Sequence, residues 1–518
     1  MTTNTDIKIL KHDETWIKVL CSEVHQEMDI QDRFSFEIPN AKHDPRVKAR
    51  KWDGIKRLYN RQTKKLYKGL LLSLLEFLND QKFTYELDPE LLPDEEDQLS
   101  TEDIQNLIDK IIQPKDKNGN PLSVYDYQVE AVKNILNSGN SISLAATSSG
   151  KSLIIYLAVR IYQLLDDLNN KTICITVPSI SLVEQLYKDF EEYATNSSWS
   201  VHKHCQKISG KYKKQVEKQI FITTWQSQQK MSYDDLQSIG CIFIDECHTA
   251  QASTLTSILE SLVRCRYKHG LTGTLSDSET NQMTVQGLLG PAQTIVTAKE
   301  NIDAGRATDV IVNMVVLNYQ KNATKKFLEY RKDYLKGKRY EPRLAYESEV
   351  RFLASYEPRL NLILDMIESV EGNSLIIFDR VESYGEVLYN KFKERRPDNT
   401  FFISGSVSGS DREDIRLDME NHDDATIWAS SETMSTGVSI NKLHNCFIIS
   451  SSKSRRKIIQ IAGRLMRLHK SKTKSQLYDI VDNLNLENKE NFTLLHAQKR
   501  IEIYDKEKFS INFMQLDI

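Results

Sequence analysis

Short apolar runs bounded by turn residues alternate with longer stretches of helical periodicity along most of the chain. In residues 104–298 the apolar runs fall at 141–144, 172–177, 220–223 and 241–244, and the first two are followed by helical spacing over 153–168 and 181–193. This strand–turn–helix rhythm predicts a parallel sheet with helices on both faces. Such a sheet binds ligands beyond the carboxyl ends of its strands. The rhythm resumes in residues 299–490, with strands predicted at 310–317, 374–378, 400–403, 426–429, 446–450 and 476–480. Residues 1–87 read differently, as a small α+β module. Strand-like alternation at 7–10, 16–20 and 34–38 is followed by helical spacing over 70–79 and a closing strand at 83–85. Residues 88–103 form an acidic linker, and 491–518 a C-terminal tail of helix-like and strand-like pieces with no assigned role.

Composition narrows the class. A chain of 518 residues is too long for one core. No run of about 18 apolar residues is present, and the N-terminus has no apolar core of signal-peptide type. Seven scattered cysteines without a C-x-x-C pair argue against a zinc ribbon or a disulfide framework. A cytoplasmic protein with no membrane partner is expected. The net charge of −3 hides local blocks. Residues 42–68 hold eleven Lys or Arg against two acids, and 88–103 hold eight acids and no base. The basic block surrounds Trp52, Tyr59 and Tyr67. Lys48, Arg50, Lys51, Lys56 and Arg57 with Trp52 are therefore candidate nucleic-acid contacts, cations for phosphates and aromatics for bases. A second basic, tyrosine-rich segment, 325–343, fits either a surface helix and loop or a nucleic-acid contact, and the plainer reading is preferred.

Three motifs carry chemistry. Residues 145–152 read AATSSGKS, the spacing of a phosphate loop with Ala145 at its first glycine position. Backbone N–H groups from Thr147, Ser148, Ser149 and Gly150 would cradle phosphate, Lys151 would reach the β- and γ-phosphates, and the Ser152 hydroxyl would sit on Mg²⁺. At the end of a later apolar run, Asp245 is a candidate metal ligand and Glu246 a candidate base for an attacking water. Cys247 and His248 belong to this acidic motif and are not read as metal ligands. Gln460, Gly463, Arg464 and Arg467 share one face if 460–467 is helical, and the two arginines could clamp a γ-phosphate.

Taken in order, A-x-T-x-x-G-K-S, D-E-x-H, T-G-T and Q-x-x-G-R-x-x-R resemble the superfamily-2 helicases and translocases over residues 122–482. The resemblance implies an α/β fold with two RecA-like domains in tandem, ATP and Mg²⁺ between them, and arginine fingers from the second. It gives further positions a meaning. Tyr125 would stack on the base and Gln128 read adenine. Ser179 and Gln185, then Thr224, Trp225 and Gln226, then Arg380 and Ser404 would contact the strand. Ser435, Thr436 and Gly437 would touch strand and nucleotide. The N-terminal W-D-G turn (Trp52-Asp53-Gly54), the T-W-Q segment and D-E-C-H also resemble the repair and recombination helicases of T-even-like bacteriophages. That likeness implies an ATP-dependent DNA helicase acting on branched DNA: junction branch migration, fork regression and removal of R-loops and D-loops, 3′ to 5′. The expected partners are branched, single-stranded and duplex DNA and RNA–DNA hybrids. The protein is expected to act as a monomer in the host cytoplasm, and the sequence indicates no protein partner. An RNA helicase, or a duplex translocase that does not unwind, remains the alternative.

Overall fold

The computed structural model describes residues 5–518 apart from 39–40, 93–97, 147–148, 166–167, 169, 211–214, 249–252, 276–277, 340, 406, 408, 435–439, 452–453 and 488–489. The chain divides into two compact units, Met1–Val296 and Thr297–Ile518.

The first unit is built on seven parallel strands in the order Ala292–Val296, Asn140–Ala145, Tyr267–Thr272, Ile239–Asp245, Thr172–Val177, Ile220–Thr224, Cys205–Ile208. Helices on both faces explain why central strands read as unbroken apolar runs, and every residue of Ile220–Thr224 is buried. Helix Lys151–Leu165 follows the first of these strands in chain order, and helix Ile180–Tyr193 follows Thr172–Val177. Because all seven strands point the same way, their carboxyl ends form one rim.

The sequence reading treats residues 1–87 as a module behind a solvated linker. The structure gives it a four-stranded sheet, in the order Lys65–Tyr67, Trp16–Cys21, Ile7–Lys11, Tyr85–Leu87, with a hairpin of Ser35–Glu37 and Ile55–Arg57 beside it. Its inner face, including Leu70, Leu74 and Leu78, shares one buried core with Val285, Leu288 and Leu289 of the parallel-sheet region. The contact is close. A side chain at Gly69 would meet the Gln286 carbonyl at 2.2 Å, and one at Gly287 would meet the Tyr67 ring at 2.7 Å. Lys268 crosses the seam fully buried, donating to Thr15 Oγ1 at 2.6 Å and to the Glu14 carbonyl at 3.2 Å. Tyr59 and Tyr67 are buried in this core, so neither is a stacking surface for bases. The acidic segment is also partly structured. Asp88 caps the turn Pro89–Leu91, Leu91 is buried, and Ser100 caps helix Thr101–Leu107. Several of its acids thus serve helix N-termini.

The second unit has seven parallel strands in the order Thr400–Ile403, Thr426–Ser430, Ser374–Phe378, Asn445–Ile448, Lys474–Asn483, Asp309–Asn318, Ser510–Asp517. Residues 491–518, set apart as a tail from sequence, supply helix Phe492–Lys506 and the edge strand Ser510–Asp517. The helix is anchored by Arg500, whose guanidinium donates twice to Asp479 at 2.7 Å with both groups buried, and by Tyr504 donating to Asp479 at 2.9 Å. That partner lies 21 positions back, beyond the reach of local periodicity. Among the described residues no helix is long and apolar enough to cross a membrane.

Candidate active site and nucleic-acid interface

The phosphate loop leaves strand Asn140–Ala145 at the rim and ends in helix Lys151–Leu165. Thr147 and Ser148 lie outside the described residues. Gly150 has φ +77°, a left-handed conformation, and a side chain there would meet Gln128 Nε2 at 2.5 Å. The Ser149 carbonyl accepts from Gln128 Nε2 and Tyr127 Oη, both at 2.9 Å. Gln128 Oε1 accepts from the Tyr125 N–H at 2.9 Å. Gln128, expected to read adenine, thus has both ends of its carboxamide engaged by backbone. It is buried, and its carboxamide braces the loop against the start of helix Asp126–Ser138. Tyr125 is half-buried and stacked on Tyr127, with ring centroids 5.7 Å apart.

Lys151 lies 3.5 Å from Glu246 Oε1. Burial alone would lower its ammonium, but the charges of Glu246 and Asp245 outweigh that and hold it above its usual value. Glu246 follows strand Ile239–Asp245 in a left-handed conformation, φ +51°, which is rare for a non-glycine residue. Its second oxygen lies 3.3 Å from Thr272 Oγ1 and 3.2 Å from His248 Nδ1. Burial opposes ionisation of Glu246, but Lys151 and then His248 and Thr272 hold its carboxyl well below the usual range. Asp245 goes the other way. Burial, and then repulsion from Glu246, raise it.

Asp245 Oδ1 is buried with no hydrogen-bond partner among the described residues. An orphaned carboxylate oxygen in a place that disfavours ionisation suits a divalent cation, which would restore its charge. No group of three or more His, Cys, Asp and Glu that could hold a metal occurs among the described residues. Ser152, the other expected ligand, turns its hydroxyl to Tyr193 Oη at 3.0 Å.

His248 and Thr272 stand in the sequence as parts of D-E-x-H and T-G-T, with no partner assigned to either. His248 Nδ1 lies 2.9 Å from Thr272 Oγ1, and that hydroxyl lies 3.0 Å from the Thr274 carbonyl. The acid pair is thereby joined to the turn after the neighbouring strand. The D-E-x-H spacing was the available signal, but only strand adjacency shows the partner. Cys247 fits because Gly270 makes room, since a side chain there would lie 2.7 Å from Cys247 Sγ.

In the second unit Gln460 and Arg464 lie on helix Arg455–Leu465, but Arg467 does not. The helix stops at Met466, where the N–H of Thr308 takes the Met466 carbonyl at 2.7 Å and Thr308 Oγ1 takes the Arg467 carbonyl at 2.9 Å. Burial, and then the like charge of Arg467, push the Arg464 guanidinium down. Lys472, unremarked in the sequence, donates to the Leu465 and Leu443 carbonyls at 2.8 and 2.7 Å and secures the helix end from which Arg467 departs.

The remaining strand-contact candidates mostly follow carboxyl ends of parallel strands. Ser179 caps helix Ile180–Tyr193, and Gln185 is exposed on that helix. Thr224 is buried as a helix cap, Trp225 is half-buried and Gln226 is exposed. Arg380 is half-buried after Ser374–Phe378, and Ser404 is buried after Thr400–Ile403, its carbonyl accepting from Arg412 at 3.1 Å. Ser435, Thr436 and Gly437 lie outside the described residues.

In the N-terminal module the basic block is partly neutralised from within. Arg46 pairs with Asp44, Arg57 with Asp53, Lys64 with Glu27 and Lys68 with Glu14. Lys56 is half-buried and lowered by burial, with only the field of Glu260 opposing. Lys48, Arg50 and Lys51 are exposed and form no ion pair with a described residue. Beside them Trp52 donates Nε1 to the Ile55 carbonyl at 3.1 Å, and Arg46 lies 4.7 Å from its ring.

Two all-parallel seven-stranded sheets, the first bearing a phosphate loop and an Asp-Glu pair at its rim, define a superfamily-2 helicase motor. Family models match along the chain: "DNA helicase UvsW, N-terminal" at residues 6–88, "Type III restriction enzyme, res subunit" at 121–277 and "Helicase conserved C-terminal domain" at 358–469. The ATP-dependent DNA helicase uvsW of Enterobacteria phage T4 is 30% identical over 527 residues, covering 98% of each chain. The crystal structure of T4 UvsW superposes with a TM-score of 0.51 at 26% identity, covering 99% of this chain and 100% of that one. The probable helicase D10 of Escherichia phage T5 is 24% identical, covering 53% of this chain and 55% of its own. The chain belongs to the UvsW family of ATP-dependent DNA helicases, and it is an enzyme that uses ATP.

Proposed function

We propose that this helicase uses ATP to remodel branched DNA: branch migration of four-way junctions, regression of forks and unwinding of R-loops and D-loops, moving 3′ to 5′. It would act in recombination, repair and replication, as a monomer in the cytoplasm of the host cell. The observation that carries the reading is the N-terminal module. It is seated on the motor through a shared core and presents Lys48, Arg50 and Lys51 without internal ion-pair partners. Cations free of internal partners are the ones available to phosphate, and rigid attachment transmits motor strokes to the duplex they hold.

Lys151 is proposed to hold the β- and γ-phosphates, and Asp245 with Ser152 to hold Mg²⁺. When bound, the cation neutralises charge on the phosphates. Glu246, kept ionised by Lys151, orients the attacking water and accepts its proton. His248 and Thr272 keep that carboxylate aimed. Arg464 and Arg467 stabilise charge that develops on the γ-phosphate, with Gln460 beside them on the motif.

The test is ATP hydrolysis by the full chain with single-stranded DNA, a four-way junction, an R-loop and structured RNA in parallel. Strongest stimulation by the branched DNAs, with strand products, supports the reading. Preference for structured RNA makes the protein an RNA helicase. Glu246→Gln should lower kcat on the order of 100- to 10,000-fold while nucleotide and DNA still bind, and normal turnover would remove Glu246 from its role.

A further inference from the structure

Helix Lys321–Leu335 of the second unit has two opposite faces. Ala323 and Phe327 are buried, and Phe327 packs on Phe352 of the neighbouring helix Pro342–Ser355 with ring centroids 5.3 Å apart. Lys321, Lys325, Lys332 and Lys336 are exposed. At 100° per residue these four lie within about 60° of one another, diametrically across from the buried pair. Lys336 is the C-cap, so the row runs the whole helix, about 22 Å at 1.5 Å per residue. Exposed Leu328 is the one apolar residue in the row. Glu329 borders the row, four residues after Lys325 and three before Lys332, and Asp333 lies about 60° beyond it, but none of the four lysines pairs with a described acid.

A solvated helix face ordinarily interleaves both signs. Here Lys321 and Lys325, and Lys332 and Lys336, are like-charged neighbours four residues apart, which costs a helix a few tenths of a kcal/mol per pair. The first turn contains no acid, and Lys321 stands at the end where the helix dipole favours anions. Gln320 makes no side-chain cap. At the N-terminal end these local choices work against the helix in isolation, whereas Lys332 and Lys336 suit the dipole at its C-terminal end, and conflicts of the first kind mark functional surfaces. A polyanion along the row would relieve each of them.

The position limits which polyanion. The helix follows strand Asp309–Asn318, so its start lies at the carboxyl rim of the second sheet, the rim that carries Arg380 and Ser404. A groove of about 950 Å³ opens there, lined by Asn318, Lys321, Lys325, Asn485, Glu487 and Asp517. We infer that the lysine row of helix Lys321–Leu335 is a second DNA-binding surface, which grips the phosphate backbone of a duplex arm rather than the strand carried by the motor. The inference rests on the proposed action on branched DNA and names the part of the chain that holds one arm.

The experiment compares the full chain with Lys321→Glu/Lys325→Glu/Lys332→Glu and with the corresponding triple alanine variant. The alanine variant removes both like-charge pairs, so its thermal stability should not fall, whereas the glutamate variant keeps a like-charge pair at 321 and 325 and its fold is checked by its melting temperature. Binding to a four-way junction is titrated across salt concentrations, and ATPase is measured with a short single-stranded oligonucleotide. The expected result is a log–log salt slope shallower by about 2.7 in the alanine variant, from three lost phosphate contacts at about 0.9 each. Junction affinity should fall at least tenfold in the glutamate variant, with oligonucleotide-stimulated ATPase unchanged in both. Unaltered slope and affinity would overturn the inference. So would an equal loss of single-strand stimulation, which would put the row on the motor's own strand. Failure of the unsubstituted protein to respond to any DNA would instead count against the proposed function.

Discussion

Thr272 shows how one hydroxyl can serve two sites. It lies 3.3 Å from Glu246 Oε2, 2.9 Å from His248 Nδ1 and 3.0 Å from the Thr274 carbonyl. Valine keeps its shape and removes the hydrogen bonds. Hydrogen bonds to charged groups contribute about 1.5–3 kcal/mol, so Thr272→Val should reduce kcat at least tenfold with nucleotide affinity kept. Steady-state kinetics and nucleotide titration check this, and a proportional loss of affinity would mean that the turn had moved. Tyr193 is the second residue of interest. Its phenol meets the Ser152 hydroxyl at 3.0 Å and its ring packs beside Tyr156 at 5.3 Å. A serine giving a lone pair to a metal needs an acceptor for its proton, and the phenol oxygen is in reach. Tyr193→Phe should therefore raise the Mg²⁺ concentration needed for half-maximal ATPase several-fold, and should have no further effect in a Ser152→Ala background.

Among elements, the helical turn Pro45–Lys48 and the hairpin strand Ile55–Arg57 flank the free cations. The eleven basic residues of 42–68 look equivalent as composition. Geometry separates those occupied by Asp44, Asp53, Glu27 and Glu14 from Lys48, Arg50 and Lys51. Triple alanine substitution at Lys48, Arg50 and Lys51 should weaken duplex binding and flatten its salt dependence. The same change at Arg46, Lys64 and Lys68 should act mainly on stability. Equal effects of the two triples on DNA binding would mean that the internal ion pairs open to accept phosphate.

For the whole molecule, the seam around Lys268 joins module to motor. Burial lowers this lysine from 10.5 to about 8. Between those values the unfolded chain holds a proton that the folded protein lacks, so stability rises with pH across that window, by up to about 3 kcal/mol. Lys268→Met should flatten the rise, as chemical denaturation between pH 7.5 and 10.5 would reveal. Deleting the N-terminal module would strip cover from Val285, Leu288 and Leu289, so the truncated chain is expected to be unstable as well as defective on DNA.

The two parallel sheets, the phosphate loop and the acid pair were legible in the sequence because each is local. Apolar runs report burial on both faces of a strand, and Gly150-Lys151-Ser152 stands where strand gives way to helix. What tertiary structure alone decided is which distant residues meet. Strand adjacency brought His248 to Thr272, a buried ion pair drew helix Phe492–Lys506 onto the second sheet, and the shared core took Tyr59 and Tyr67 away from any base. Helix termination left Arg467 two residues beyond the helix that carries Gln460 and Arg464. Local pattern sets how a segment folds, whereas partner choice among equally charged or equally apolar segments depends on burial and distance, and these exist only once the chain has packed.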